Sequence, residues 1–323
     1  MNGAAGRAFL KAEKIDKRYG DKEALSGINF ECTGGELIGL IGQNGAGKTT
    51  LLNILAGRLA PSAGSVQVNG YDVIWEPEKT RPLIGCLPEK PGLYDEMTVM
   101  SQLRFVCALK GVVKEDVDRH VRELAEKTGI SSILGRRTGN LSKGYRQRVG
   151  LAAALAGNPE IVLLDEPTTG LDPVQIREIR DLIHELSRER LVILSTHILK
   201  DLDGLCTRAL MLHEGKLIRD LRIAEEDNDE RTLHIEAAIG REAAERILGR
   251  LESVKRFEML QSGKPGIAAA LVTGDRDAQM ERELFQALVK ADAALLHLTP
   301  VKSELEELFL SALTERTAEE ETV

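Results

Sequence analysis

The chain has 323 residues, a formal net charge of −8 at pH 7 and four cysteines without C-x-x-C spacing. This length accommodates about two domains, and the acidic balance gives no reason to expect electrostatic binding of DNA or RNA. The cysteines predict neither a zinc site nor a disulfide framework, the first residues carry no secretory signal, and no apolar stretch approaches the ~18 residues of a membrane-spanning helix.

Short strands dominate the first part of the chain. Residues 9–14 and 28–32 are predicted to be strands, and residues 65–70 alternate like a half-buried edge strand. Together they predict an antiparallel layer. Between the first two strands the polar sequence KRYG places Tyr19 in a turn, in a chain that is only 3% aromatic. A half-buried tyrosine at the edge of a sheet is the alternative interpretation.

A phosphate-binding loop follows at residues 42–49, where GQNGAGKT matches the pattern G-x-x-x-x-G-K-[ST]. An apolar strand, 37–41, precedes the loop and a helix opens at Thr50, so the positive end of that helix would face the phosphates. Glycines let backbone N–H groups wrap the phosphates, the lysine reaches the β and γ groups, and the hydroxyl binds magnesium. The flanking strand and helix make an ordinary strand-to-helix turn the weaker interpretation. The predicted nucleotide-binding residues of the loop are Gly42, Asn44, Gly45, Ala46, Gly47, Lys48, Thr49 and Thr50.

A helical subdomain is predicted over about 90–155. Residues 98–109 and 115–128 have helical periodicity, and Gly111 and Gly129 break it. Before the first helix, the sequence PGLYDEMT at 91–98 carries apolar residues in a loop-rich segment, which we interpret as a docking surface. The alternative is a hydrophobic staple that packs the helix that follows.

Two carboxylates end the apolar sequence IVLLDE at 161–166. Hydrolysis of a phosphoanhydride requires a positioned water and neutralised phosphate charge. Asp165 would hold magnesium through water, and Glu166 would orient or deprotonate the attacking water, since successive strand residues face opposite ways. A strand-ending turn before Pro167 is the alternative. His197 follows another apolar strand, 191–196, at the carboxyl edge where ligands bind in open α/β sheets; a surface histidine is the alternative.

Five motifs in order give a family resemblance: the phosphate loop, LSKGYRQR at 141–148, the carboxylate pair, TGLD at 169–172 and STH at 195–197. With them, residues 8–223 resemble the ATP-binding subunit of an ABC transporter. The resemblance implies ATP and Mg²⁺ as cofactors. It also implies that Ser142 and Gly144 contact nucleotide held by a partner subunit, that Asp172 serves the subunit interface and that Tyr19 stacks on adenine. His197 would contact the γ-phosphate and help hold Glu166 and the water.

The resemblance is to the ATPase subunits of bacterial ABC-2 type exporters, of the gliding-motility, multidrug or natamycin-type group. GCLPE at 85–89 places Glu89 where most ABC ATPases have a glutamine that binds magnesium, and SELEELF at 303–309 is similar to the terminal helix motif of this group. A solvated glutamate in a turn is the alternative for Glu89. Lys143 and Tyr145 depart from the commonest signature, in which glycine and glutamine stand.

The predicted fold is an α/β P-loop NTPase core with an antiparallel β subdomain and a helical subdomain, spanning residues 1–224. An acidic linker at 225–230 precedes an accessory α+β domain at 231–316, where the order β-α-β-β-α-β is ferredoxin-like and a last helix covers 302–313. Residues 317–323 form an acidic tail. For the accessory domain, dimer support, regulation, partner contact and capping of the core all remain open.

One set of motifs in each chain means that two chains must associate to complete two sites. We therefore expect a subunit, with a homodimer favoured, that closes around ATP and drives a separate ABC-2 type membrane permease, in the direction of export. Such a chain would be cytoplasmic and peripheral on the inner face of the cell membrane, with no nucleic acid as partner. The alternatives are a soluble ABC ATPase acting on nucleic acid or the ribosome, and a nucleotide switch that does not hydrolyse.

Overall fold

A computed structural model describes residues 9–198, 202, 205–223, 230–260, 266–275 and 279–300. The chain divides into two compact units, Met1–Ile223 and Ala224–Val323. The predicted helix 302–313, the predicted tail 317–323 and all of the predicted linker except Glu230 lie outside the described residues.

The first unit contains ten strands and six α-helices among its described residues. The strands are β1 (Phe9–Tyr19), β2 (Lys22–Thr33), β3 (Leu37–Ile41), β4 (Ala63–Val68), β5 (Tyr71–Asp72), β6 (Ile84–Leu87), β7 (Ile161–Asp165), β8 (Leu191–Thr196), β9 (Arg208–His213) and β10 (Lys216–Arg222). The helices are α1 (Lys48–Leu55), α2 (Pro77–Thr80), α3 (Val99–Leu109), α4 (Val117–Lys127), α5 (Lys143–Ala154) and α6 (Pro173–Ser187).

An antiparallel sheet with the strand order β2-β1-β4-β5 forms one layer. Its strands alternate because one face is buried: Leu10, Ala12 and Ile15 of β1 belong to the core. β1 and β2 extend well beyond the predicted 9–14 and 28–32, up to the turn at Gly20. The prediction of β4 as an edge strand was wrong, because the two-residue strand β5 pairs along its outer side.

The second sheet has the order β10-β9-β3-β8-β7-β6, and all its neighbours are parallel except the antiparallel pair β10 and β9. Every residue of β3, β7 and β8 is buried, as expected of central strands that are covered on both faces. The register pairs Ile41 with Thr196 and Asp165 with Ser195. The carboxyl ends of β3, β8 and β7 therefore meet at one edge.

The helical subdomain contains α3, α4 and α5. Thr98 caps α3 by accepting a hydrogen bond from the Ser101 amide, and Ser142 caps α5 by accepting one from the Tyr145 amide. The predicted breaks Gly111 and Gly129 follow α3 and α4 with positive φ angles of 76° and 68°.

The second unit contains β11 (Glu230–Ala238), α7 (Arg241–Leu248), β12 (Val254–Leu260), β13 (Ala268–Asp275), α8 (Gln279–Lys290) and β14 (Ala294–Pro300). Its sheet is antiparallel with the order β12-β13-β11-β14. This is the split β-α-β-β-α-β pattern that the sequence predicted. Leu233 and Val272 of the sheet share a buried cluster with Leu284 and Leu288 of α8. Within the part of the chain described, no helix has both the length and the apolar character needed to cross a membrane.

Gly85, in β6, is a position where one added methyl group should destabilise the fold. A Cβ atom there would lie 2.1 Å from the Ala154 carbonyl oxygen and 2.8 Å from Cγ of Pro159. Gly85→Ala should therefore lower the free energy of unfolding by about 1–3 kcal/mol, measured by urea denaturation. Gly135→Ala is the matched control, since a Cβ atom there meets nothing within 4 Å. An equal loss in both variants would contradict the packing argument.

Candidate functional site

The loop between β3 and α1 is shaped by its glycines. Gly47 precedes the first helical residue with a φ of 106°, and Gly45 has a φ of 84°, values that side-chain-bearing residues rarely adopt. At position 42 glycine is required because the loop passes close to β9: a Cβ atom there would lie 2.5 Å from the Leu212 carbonyl oxygen. The loop thus passes tightly over β9 and leads into a helix whose free N–H groups face the same side.

Lys48 is the first residue of α1 and is only 6% exposed. Its Nζ atom donates hydrogen bonds to the carbonyl oxygens of Gly42, at 2.7 Å, and Gln43, at 3.2 Å. Nζ also lies 3.9 Å from Oε1 of Glu166. Burial lowers the pKa of Lys48, and the nearby carboxylates of Glu166 and Asp165 oppose that shift. The ammonium group is therefore held inside the loop, facing the carboxylates.

The two carboxylates share one anchor on the neighbouring strand, the hydroxyl of Ser195. It donates to Oδ1 of Asp165 at 2.5 Å and accepts from the backbone N–H of Glu166 at 3.1 Å. Asp165 ends β7, whereas Glu166 lies beyond the strand with a left-handed φ of 49°. The different directions of the two side chains therefore arise from this turn, and not from the strand alternation used in the prediction.

Both oxygens of the Glu166 carboxylate have partners. His197 Nδ1 lies 2.9 Å from Oε1, and the Thr169 hydroxyl donates to Oε2 at 3.3 Å. Glu166 is itself buried. A buried carboxylate that is oriented from two sides, beside an ammonium group, is suited to accept a proton from a positioned water.

These groups face a cavity of about 680 Å³. The predicted site residues that line it are Tyr19, Asn44, Gly45, Gly47, Lys48, Thr49, Thr50, Glu89, Glu166 and His197. Sequence reasoning assigned no role to the other lining residues, Lys22, Glu23, Ala24, Thr169, Glu214 and Gly215. The dipeptide Glu214-Gly215 was a usable turn signal; its Gly215 N–H donates to the Ala46 carbonyl at 3.0 Å and so supports the phosphate loop.

Tyr19 and Glu89 lie at the rim of the cavity. Tyr19 ends β1, is 52% exposed, and has Nζ of Lys17 at 5.3 Å from its ring centroid. The ring is therefore available to stack on a planar ligand. Glu89 is exposed two residues beyond β6, whose end pairs with β7, so its carboxylate approaches the cavity from the side of the helical subdomain.

Six predicted residues do not line this cavity. Gly42, Ala46 and Asp165 are not among its lining residues, although the carbonyls of Gly42 and Ala46 accept hydrogen bonds from residues that are. Ser142 caps α5, and Gly144 lies against the side chain of Gln175 in α6. Asp172 caps α6 by accepting from the Val174 and Gln175 amides. The structure thus brings Ser142, Gly144 and Asp172 to the adjoining starts of α5 and α6.

Oxygen donors for a magnesium ion are present at the cavity. Thr49 lines it, and Asp165 lies behind it with one oxygen engaged by Ser195. Among the described residues, no three His, Cys, Asp or Glu side chains converge as a ready-made metal site. This donor set fits Mg²⁺, which is usually held by one or two protein oxygens together with phosphate oxygens and waters.

Comparison with known proteins agrees with this geometry. The family described as ABC transporter matches residues 25–169. The chain is 31% identical over 311 residues to the uncharacterised ABC transporter ATP-binding protein YdbJ of Bacillus subtilis, covering 95% of this chain and 96% of that protein. It is 34% identical over 215 residues to the bacitracin transport ATP-binding protein BcrA of Bacillus licheniformis, covering 66% of this chain and 69% of that protein.

A solved structure is similar over the first unit. The dimeric structure of MJ0796, described as a bacterial ABC transporter cassette, superposes with a TM-score of 0.62 at 26% identity. It covers 66% of this chain and 98% of that chain. The likeness confirms the predicted P-loop core with its added sheet and helical subdomain.

Proposed function

Because this chain belongs to the family of ABC transporter ATP-binding proteins, we propose that it is the ATP-hydrolysing subunit of an exporter and works as a homodimer with an ABC-2 type membrane permease. The observation that carries the proposal is the meeting of Lys48, Glu166 and His197 at one sheet edge, facing the cavity. The likeness to BcrA, a bacitracin transport protein, and the ABC-2-like sequences around Glu89 and at 303–309 support export. In this proposal the permease holds the chain peripherally at the cytoplasmic face of the membrane.

Each residue of the cavity has a task in the proposed reaction. Tyr19 stacks on the adenine, the loop amides bind the phosphates, and Lys48 exchanges its contacts with Gly42 and Gln43 for the β and γ phosphates. Glu166 accepts a proton from water as the oxygen bonds to the γ phosphorus and the bond to the β-phosphate oxygen breaks. His197 holds Oε1 of Glu166 and contacts the γ-phosphate. The products are ADP and inorganic phosphate.

Magnesium fits this site as the partner of the phosphates. Thr49 and Asp165 are the proposed ligands, the latter through water, and Glu89 is a third candidate because it lines the same cavity. When bound, the ion neutralises phosphate charge. Glu89 adds negative charge to a site that already holds Asp165 and Glu166, so we expect a glutamate here to increase the dependence of the reaction on magnesium.

The second subunit completes each site in this proposal. Ser142 and Gly144, at the start of α5, are proposed to contact the γ-phosphate of ATP held by the other protomer. Asp172, at the start of α6, is proposed to serve the interface. Ser142 and Asp172 are exposed, and a helix start suits a phosphate. These residues lie outside the nucleotide cavity of their own chain, as a contribution to a partner's site requires.

A second cavity, of about 1040 Å³, lies where β6 and α2 approach α3 and α5. We propose that a short cytoplasmic helix of the permease binds in this cavity, which we call the permease groove. Leu93, Val106 and Leu109 give it an apolar wall, and Leu109 is 71% exposed. Pro91, Gly92 and Leu93 of the predicted docking surface contribute to it. Tyr94 does not line the groove. Its ring packs edge-on against the ring of Phe105 in α3, with the centroids 5.8 Å apart, so this exposed tyrosine contacts the following helix as the hydrophobic-staple alternative expects.

The charge of the permease groove suggests what the bound helix carries. Four basic residues line the groove with a single acidic one. They are Arg58, Arg81, Lys90 and Lys110, and the acidic residue is Glu78. A helix with an apolar face and one or two acidic side chains would complement this lining.

Replacing Leu109 in the permease groove tests the proposed partner. Leu109→Asp should weaken association with the permease by about tenfold or more, because it puts a charge in the apolar wall. ATP hydrolysis by the isolated subunit should be unchanged. The measurement is co-purification with a multi-spanning membrane protein, together with phosphate release.

Val113→Asp is the matched control, since Val113 is also exposed but does not line the groove. Equal loss in both variants would show that the groove is not the docking site. Failure of the parent chain to associate with any permease, with hydrolysis stimulated by ribosomes or DNA, would support the rival function on nucleic acid.

A further inference from the structure

Lys143 stands where the commonest ABC signature has glycine, and its side chain lies on the loop at 169–172. A Cβ atom on Gly170 would be 2.3 Å from Nζ of Lys143 and 2.8 Å from both Cδ and Cε. Gly170 has a φ of 77°, a value at which a side chain is strained. The long aliphatic chain of the lysine therefore occupies the space beside Gly170, where the loop has no side chain.

The same loop holds the proposed base. Thr169, next to Gly170, donates its hydroxyl to Oε2 of Glu166 at 3.3 Å and its N–H to the Glu166 carbonyl at 3.2 Å. The hydroxyl contact is long for an O–H···O bond, so a small displacement of the loop would break it. His197 would then hold only the other oxygen of Glu166, and the carboxylate could rotate.

The loop is also fixed between two helix starts. Asp172 caps α6, and α6 packs on α5 through two contacts. Gly144 lies against Gln175, leaving no room for a Cβ atom, and Arg148 forms an ion pair with Glu178. Lys143 is the first residue of α5, so any movement of α5 reaches Gly170 through this side chain.

We infer that Lys143 is a positioning residue, which keeps Thr169 on Glu166 by packing on Gly170 and so ties the orientation of the base to the start of α5 in the same protomer. The inference rests on the proposed function, in which Glu166 activates water. Packing is the operative contact in this inference, since Cδ and Cε lie beside Gly170 together with the ammonium group, each within 3 Å of the position that a Cβ atom would take. A movement of α5, the helix proposed to face the partner's nucleotide, thereby changes hydrolysis in its own protomer.

Steady-state ATP hydrolysis by the full-length chain tests the inference with four variants. Lys143→Gly and Thr169→Val should each lower kcat by about tenfold, the effect of losing a hydrogen bond to a charged group. KM for ATP should stay near the parent value, because the phosphate loop is untouched. The double variant should be no slower than either single variant. Lys143→Met, which keeps the aliphatic chain without the charge, should restore the parent kcat.

Lys114→Gly is the control, since this lysine is exposed in the loop before α4 and its loss should change nothing. Additive effects in the double variant, a parent-like rate for Lys143→Gly, or a Lys143→Met variant as slow as Lys143→Gly would each overturn the inference. The last result would assign the role to the ammonium charge. Absence of hydrolysis in the parent chain would instead reject the proposed function. Thermal melting of each variant separates loss of fold from loss of rate.

Discussion

Glu166→Gln is expected to bind MgATP at least as tightly as the parent chain and to lose hydrolysis by about a thousandfold. Glutamine has the shape of glutamate and can still accept a hydrogen bond from Thr169, but it cannot take a proton from water. Removing the negative charge 3.9 Å from Nζ of Lys48 also removes repulsion between the site and the triphosphate. Phosphate release measures the rate, and size-exclusion chromatography with ATP detects the dimer that hydrolysis would otherwise reopen.

Glu185→Gln makes the same chemical change on the exposed face of α6 and should leave both measurements unchanged. Near-normal hydrolysis by Glu166→Gln would reject Glu166 as the base. Loss of ATP binding in that variant would indicate that the carboxylate organises the phosphate loop and does not act on water.

Lys48→Met is expected to abolish nucleotide binding while stabilising the nucleotide-free protein. Burial lowers the pKa of Lys48, so the folded state binds this proton less firmly than the unfolded chain does. That difference costs stability in full below the folded pKa and in part between the two pKa values, and the cost disappears only above the unfolded value. Methionine removes it. The melting temperature without nucleotide should therefore rise.

With MgATP present, the parent chain should instead have the higher melting temperature. A ligand at one hundred times its Kd stabilises the folded parent chain by about 2.7 kcal/mol, and Lys48→Met should show no such rise with MgATP. Lys110→Met is the matched control, because burial also lowers the pKa of Lys110 and its Nζ also donates to two carbonyls. It should keep the full MgATP effect. Undiminished MgATP stabilisation of Lys48→Met would contradict the role of the lysine.

The phosphate loop was predictable because its information is local. Eight consecutive residues, 42–49, specify the turn, the lysine and the hydroxyl, and the apolar runs on either side specify the strand and helix. The approach of His197 to Glu166 followed from a general rule, since the carboxyl ends of neighbouring parallel strands share one edge. Their catalytic roles stay predictions until the variants are measured.

Contacts between distant residues could not be read from the chain. The bond from Ser195 to Asp165 depends on β7 and β8 being neighbours in register, and the direction of Glu166 depends on a left-handed turn that its sequence does not announce. Thr169 was recognised only as part of a motif, because its contact with Glu166 requires both features. The contact proposed for Ser142 could not be read from the sequence for another reason, since it is made with nucleotide held by a second chain.

Some elements were missed although signals for them existed. Asp172 followed by Pro173 is a strong start for α6, with a cap and a proline in the first turn. The hairpin of β9 and β10 was harder to predict from the sequence, because β10 has the polar sequence KLIRDLR and lies at the sheet edge. The long polar ends of β1 and β2 were missed for the same reason: exposed strand ends lack alternation.

Ser195 connects the two carboxylate residues at the reactive edge of the sheet. One hydroxyl anchors both the side chain of Asp165 and the peptide of Glu166, and it belongs to the strand that ends immediately before His197. The Asp165 side chain and the Glu166 backbone are thus fixed to a single strand, whereas the Glu166 carboxylate is held by Thr169 and His197. Control of turnover must then come from the loops that contact this edge, such as the loop at 169–172. Inhibitors or effectors should therefore be aimed at those loops and not at the strand ends.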